Sequence, residues 1–175
     1  AVGEGAANRY ASIAPSVPHA RHMPSHIYIR LGMWDAAIAS NVSSAAAARQ
    51  YETEQHLDAA WDQRLHAMDY LVYAYLQQGR DAAARRRVDE AARMQRVFPE
   101  GSVTAQYALA AIPARYALER GQWREAIGLA IRQGFQPGAE AVTRFARAVG
   151  AARGGDLAGA RADLAALAAL DSDLT

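Results

Sequence analysis

Hydrophobic and polar positions along the chain repeat with the period of an α-helix, and short breaks divide this pattern into segments. In the last segment, for example, Leu157, Leu164, Leu167 and Leu170 lie near one stripe of a helix. FPEGS (98–102) and GFQPG (134–138) are the clearest breaks, because proline and glycine interrupt helices. The pattern predicts helices over 5–14, 24–31, 35–49, 53–78, 81–97, 103–120, 123–132, 138–153 and 156–170, and therefore an all-α protein.

Four segments share a local pattern in which a glycine precedes an alanine-rich stretch. Their glycines are spaced 47, 42 and 34 residues apart: Gly32, Gly79, Gly121 and Gly155. Glycine at the end of a helix adopts the left-handed conformation that stops it, so each segment predicts a tight turn between two helices. A small residue early in the second helix lets the pair approach closely, and alanine fills that position at Ala37, Ala84, Ala126 and Ala160.

The sharpest internal match lies at an offset of 89 residues, between MPSHIYIRLGMWDAAI (23–38) and IPARYALERGQWREAI (112–127). It superimposes Pro24 on Pro113 and Trp34 on Trp123, together with the turn glycine and the following Ala-Ile pair. Because proline is tolerated at the start of a helix and kinks its interior, each first helix should start or bend at its proline. The two tryptophans are predicted to pack between paired helices.

These hairpins resemble the tetratricopeptide repeat over about residues 23 to 170. The resemblance implies a right-handed α-α superhelix in a single domain over 1–175, with a partial repeat at 1–20 and repeats at 23–50, 63–97, 104–132 and 138–170. The two wider glycine spacings depart from the family period and predict lengthened helices or an insertion around 49–63. HARHMPSHIYIRLG is also similar to a segment of uncharacterised bacterial proteins of this family. The helix predicted over 5–14 looks like the second helix of a hairpin whose first helix is missing, which favours a fragment of a longer array.

In this family the first helix of each hairpin lines the ligand groove, and its register counted from the turn glycine implies which residues face that groove. They are His22, His26, Arg30, His66, Asp69, Tyr73, Gln77, Arg115 and Glu119. A groove this polar predicts a non-catalytic binding or scaffold module for a protein or peptide. Within it, Arg30 and Arg115 are expected to bind a carboxylate, with hydrogen bonds from His26, His66 and Tyr73.

Three other interpretations of the polar residues remain open. His26, His66 and Asp69 could bind a metal ion through imidazole and carboxylate ligands. His66 and Asp69, three residues apart on one helix, could act as acid and base in a hydrolytic site, although no nucleophile accompanies them. Alternatively, the groove residues satisfy one another where repeats meet. His19 and His22 are then expected in the turn PHARHMP (18–24).

Composition and charge narrow the range of partners. Hydrophobic residues make up 51% of the chain, and all 19 basic residues are arginine against 18 acidic ones. The resulting net charge of +1 favours neither nucleic acid nor a membrane surface as partner. The chain contains no cysteine, which excludes disulfides, thiolate ligands and a cysteine nucleophile. No cofactor is predicted, self-association into a homo-oligomer is compatible with a helical array, and the cellular compartment is undecided.

Overall fold

The computed structural model describes residues 2–172 and confirms the all-α class. Its helices are α1 (Val2–Ile13), α2 (Pro18–His22), α3 (Pro24–Arg30), α4 (Trp34–Glu54), α5 (Asp62–Gln77), α6 (Asp81–Ala92), α7 (Val103–Glu119), α8 (Trp123–Ile127), α9 (Pro137–Gly154) and α10 (Leu157–Ser172). Two short strands, β1 (Ala60–Trp61) and β2 (Val97–Phe98), pair in parallel. No helix within these residues has the length and apolar character needed to cross a membrane.

Helix hairpins form at all four turn glycines, as the sequence predicts. Each of these glycines has a φ between 62° and 86°: Gly32, Gly79, Gly121 and Gly155. The residue after each glycine donates its backbone N–H to a carbonyl five residues earlier, over 2.8–2.9 Å. The four bonds are Met33 to Tyr28, Arg80 to Tyr75, Gln122 to Ala117 and Asp156 to Ala151. This hydrogen bond is the one that ends a helix at a left-handed glycine.

The first helices of successive hairpins pack side by side, so that α5 lies against α7 and α7 against α9. The main core lies between α5, α6 and α7, where Leu65, Met68 and Ile112 are fully buried. Alanine dominates the remaining buried positions, which allows the helices to approach closely. Pro24 begins α3, whereas Pro113 lies inside α7. The predicted groove residues on α5 and α7 are therefore carried by neighbouring helices.

The segment between α4 and α5 corrects the sequence prediction. A helix was expected over 53–78, but α4 continues to Glu54 and α5 begins only at Asp62, after a loop and β1. Glu52 holds this connection in place: its carboxylate accepts hydrogen bonds from the backbone N–H of Trp61 at 2.7 Å and from Arg64 at 2.8 Å. Both predicted causes of the wider glycine spacing, a lengthened helix and an insertion, are present here.

Two further helix ends and one short helix also differ from the sequence prediction. The helix expected over 81–97 ends at Ala92, and Val97, its expected last residue, pairs instead with Ala60 of β1. The helix expected over 123–132 ends at Ile127, just before Gly128. His19 and His22, expected in a turn, lie on the short helix α2, whose first residue is Pro18. Because α2 packs on α4, the imidazole of His22 is buried, whereas a turn would have left it on the surface.

Candidate functional site

Three histidine side chains converge where α2, α3 and α5 meet. His22, His26 and His66 each contribute a ring nitrogen that lies within 4.8 Å of the other two. The Nε2 atoms of His22 and His26 are 3.0 Å apart, and the ring centroids of His22 and His66 are 4.3 Å apart. We call these three residues the histidine cluster. The register implied by the family resemblance assigns all three residues to one groove, and the structure brings their rings together.

Asn41 of α4 fixes the protonation of the innermost histidine. Its Nδ2 donates to the carbonyl of Ala37 at 2.9 Å, so its Oδ1 faces the Nδ1 of His22 at 2.7 Å. An amide oxygen only accepts, so His22 carries its proton on Nδ1 and has a lone pair on Nε2. His22 is only 1% exposed, and its burial lowers the pKa from 6.5 to about 3, although the Asn41 hydrogen bond opposes this shift.

The other two imidazoles are also held in the neutral form. Burial is the largest cause that lowers the pKa of His26, and the charge of Arg30 lowers it further. Burial likewise lowers the pKa of His66, although the negative charge of Asp69 works in the opposite direction. The cluster therefore presents neutral rings near pH 7, which have the lone pairs that hydrogen bonding and metal binding both require.

Tyr70 of α5 completes the surroundings of the cluster. Its hydroxyl oxygen lies 3.1 Å from the Nδ1 of His26, and its ring meets that of His22 edge to face at 4.5 Å. Burial raises the pKa of Tyr70, so the phenol keeps its proton. The family register placed Tyr73 in the predicted groove and left Tyr70 outside it, and Asn41 lies on the second helix of its hairpin; both residues were therefore missed from the sequence.

A polar pocket of about 220 Å³ adjoins the cluster. Its lining comes from α3, α5 and α7: Ile29, His66, Asp69, Tyr70, Tyr73, Tyr107 and Arg115. Four of these residues, His66, Asp69, Tyr73 and Arg115, are ones that the family register assigns to the groove. His66 belongs to both the pocket and the cluster, and Tyr70 lines the pocket and contacts the cluster. The polar pocket and the histidine cluster are therefore contiguous.

The charges in the polar pocket neutralise each other. The Nε and Nη2 atoms of Arg115 donate to the two carboxylate oxygens of Asp69, at 3.1 and 3.4 Å. The guanidinium also lies 5.0 Å from the centroid of the Tyr73 ring. Arg115 already holds an internal carboxylate, whereas the sequence predicted that it would hold one from a ligand. The same contact engages both oxygens of Asp69, the residue expected to work with His66.

Three other predicted groove residues lie outside the polar pocket. Arg30, the last residue of α3, is exposed and is absent from the pocket lining. Gln77 donates through Nε2 to Glu119 at 3.3 Å, on the exposed surface between α5 and α7. The structure therefore separates Arg30 from the Asp69–Arg115 pair, so these two arginines do not share the lining of this pocket.

A larger apolar pocket of about 480 Å³ continues from the polar one along α7 and α9. It is lined by Tyr107, Ala111, Ala114, Arg115, Leu118, Glu119, Ala141, Val142, Phe145 and Leu167. Tyr107 and Arg115 line both pockets, and Tyr107 is 46% exposed at their junction. We call the two pockets together the groove. Tyr107 and Phe145 were not predicted from the sequence, although counting helical turns back from Arg115 would have found Tyr107.

Comparisons with family models, with curated proteins and with solved structures yield no match to this chain. The tetratricopeptide resemblance therefore rests on the sequence pattern, and the function must be argued from the site itself.

Proposed function

We propose that this chain is a non-catalytic, tetratricopeptide-type binding module that holds a peptide segment of a partner protein in the groove. One observation carries this proposal: the polar and apolar pockets share Tyr107 and Arg115 in their linings, and so lie side by side along α5, α7 and α9. Helical repeats present such surfaces because each hairpin contributes one first helix to a shared face.

The two pockets favour different parts of a peptide. The polar pocket offers His66 and three tyrosines for hydrogen bonding, while the Asp69–Arg115 pair keeps it electrically neutral. At about 220 Å³ it has room for one polar side chain rather than a whole cofactor. The apolar pocket, at about 480 Å³, suits a bulky hydrophobic side chain. We therefore infer a ligand with a large apolar residue close to an uncharged hydrogen-bonding residue.

The repeat geometry supports the assignment to this class of module. All four hairpin turns end in the same glycine conformation with the same backbone hydrogen bond, and α5, α7 and α9 pack in a row. The right-handed superhelix is the arrangement that we propose for these hairpins. Because the groove is built on helices with buried alanine faces, binding should proceed with little folding.

A hydrolytic role receives less support from the same geometry. An acid–base pair would need Asp69 to orient His66, but both Asp69 oxygens accept hydrogen bonds from Arg115.

Selection from a displayed peptide library on the immobilised chain tests the proposal. We expect enriched peptides to combine a bulky apolar residue with a polar one, and Tyr107→Ala to weaken their binding about tenfold or more, because exposed aromatics often dominate such interfaces. Tyr10→Ala is the matched control, since Tyr10 lies on α1 and is 47% exposed against 46% for Tyr107. Equal affinity of both variants for the selected peptides would refute the groove as the binding surface.

A further inference from the structure

We propose that His22, His26 and His66 bind one divalent transition-metal ion, with Zn²⁺ as the representative ion. The site is independent of peptide recognition in the groove, although it opens toward the polar pocket. It differs from the metal site considered from the sequence, because His22 takes the place of Asp69. Three imidazoles form a ligand set suited to Zn²⁺, Cu²⁺, Ni²⁺ or Fe²⁺, and unsuited to Mg²⁺ or Ca²⁺, which prefer oxygen.

The distances within the cluster are close to those of a bound ion. Imidazole nitrogens at about 2.0–2.1 Å from a tetrahedral metal lie roughly 3.3 Å from one another. The Nε2 atoms of His22 and His26 are 3.0 Å apart, and all three ligand nitrogens lie within 4.8 Å of one another. A side-chain movement of about 1.5 Å at His66, which is only partly buried, would bring the third nitrogen to this spacing.

The surroundings orient the rings as metal ligands require. Histidines that bind metals commonly donate their second ring N–H to an oxygen, which fixes the tautomer. Asn41 Oδ1 accepts this proton from His22, and the hydroxyl of Tyr70 is positioned to accept it from the Nδ1 of His26. His22 and His26 would then direct their Nε2 lone pairs at the same point. These outer contacts distinguish the cluster from histidines that merely pack together.

The same contacts are also compatible with a metal-free state, in which the side chains form a chain of hydrogen bonds. Tyr70 can donate to Nδ1 of His26, whose Nε2–H then donates to Nε2 of His22, and Nδ1 of His22 donates to Asn41. Metal entry requires that the His26 proton move from Nε2 to Nδ1 and that the Tyr70 hydroxyl rotate to accept it. No proton is released in this exchange. The cluster can thus remain folded when empty.

Three protein ligands leave one coordination position for water or another small ligand. His66 and Tyr70 also line the polar pocket, so this position is reached from the pocket while His22 remains almost fully buried. The cluster therefore has the composition of an open metal site, with three histidine ligands and one free coordination position.

Titration of the purified chain, first stripped with a chelator, tests the proposal directly. We expect isothermal titration calorimetry with ZnCl₂ to give one ion per chain, and Co²⁺ to give the visible absorption of a four-coordinate site. His26→Gln and His66→Gln should each abolish this stoichiometric binding while circular dichroism stays helical. His56→Asn is the matched control, because it removes a histidine outside the cluster with a residue that tolerates its φ of 51°.

Tyr70→Phe tests the contact that positions His26. Loss of such an outer contact commonly weakens metal binding 10- to 100-fold. We expect at least about a tenfold loss of Co²⁺ affinity and a shifted Co²⁺ spectrum, while circular dichroism of the metal-free variant stays helical. Failure of the unmodified chain to bind Zn²⁺ or Co²⁺ would overturn the proposal in favour of the hydrogen-bond chain alone. Unaltered binding by His66→Gln would also overturn it. Neither result affects peptide binding, which is measured separately.

Discussion

Asp69 of α5 and Arg115 of α7 form a two-point ion pair across neighbouring first helices. Both oxygens of the carboxylate accept hydrogen bonds, at 3.1 and 3.4 Å, and Asp69 is only 4% exposed. The pair links the two helices at the point where the polar and apolar pockets meet. Its charges are therefore part of the packing of the groove before any ligand arrives.

Removing the arginine should destabilise the fold more than neutralising the aspartate. Arg115→Met leaves a buried carboxylate without its cation, and we expect a loss of about 2–3 kcal/mol in the free energy of unfolding. Asp69→Asn leaves a partly exposed guanidinium that water can reach, so the loss should be smaller. Urea denaturation followed by circular dichroism measures both values. The reverse order would contradict the role of the pair described above.

The close approach of α8 and α9 depends on Gly150. A Cβ atom at this position would lie 2.7 Å from Cβ of Ala126 and 2.9 Å from the carbonyl oxygen of Trp123. Because these are backbone-anchored atoms, Gly150→Ala must separate the helices, with a cost of about 1–3 kcal/mol. Gly138→Ala on the same helix is the control, since its methyl would meet no heavy atom within 4 Å among the described residues. Equal unfolding midpoints for the two variants would rule out this packing constraint.

At the Gly79 turn, the stability cost of a left-handed backbone conformation can be measured without a steric clash. In the part of the chain that the structure describes, a Cβ there would meet nothing within 4 Å, but the φ of 65° disfavours side chains. Gly79→Ala should therefore cost about 1–2 kcal/mol. Gly79→Asn should cost less, because asparagine visits this conformation more readily. Thermal unfolding of the two variants gives the comparison, and a larger loss for asparagine would contradict this explanation.

Stability should fall in acid partly through Glu90 of α6. Its carboxylate accepts hydrogen bonds from Arg64 at 2.7 Å and from Arg87 at 2.5 Å. Burial alone raises the pKa of Glu90, but these arginines outweigh it and hold the pKa below the ordinary 4.5. The unfolded chain therefore binds this proton more readily, so the stabilisation is complete above pH 4.5 and is lost as pH falls through the folded pKa.

Glu90→Gln provides the measurement for this pH dependence. Urea unfolding of the two proteins at pH 7 and at several values below 4.5 should show a shallower acid loss for the variant. Parallel curves over that interval would show that Glu90 does not carry the effect.

Local features of the sequence predicted the hairpins well because their cause is local. Gly79 and Gly121 end their helices through their own backbone conformation, which neighbouring residues reveal. The end of α4 at Glu54 was not predictable in this way. It depends on contacts from Glu52 to Trp61 and Arg64, and these form only when distant segments meet.

The candidate site was likewise predictable only where its cause is local in the sequence. The family register brought His66 and Arg115 into one groove, because both occupy repeated positions on first helices. It could not reveal that Arg115 is paired with Asp69, since helical register does not specify partners across helices. The role of Asn41 could not be predicted from the sequence for a similar reason. Asn41 contacts His22 only because the short helix α2 packs on α4.

The most direct test of the proposed binding function is a map of where a selected peptide contacts the chain. Nuclear magnetic resonance of the isotope-labelled protein, titrated with a peptide from the library selection, records which residues change environment. We predict that the largest shift changes occur at Tyr73, Tyr107 and Phe145, which line the two pockets of the groove. Changes confined to α6 and α8, with the groove residues unperturbed, would contradict the proposed function.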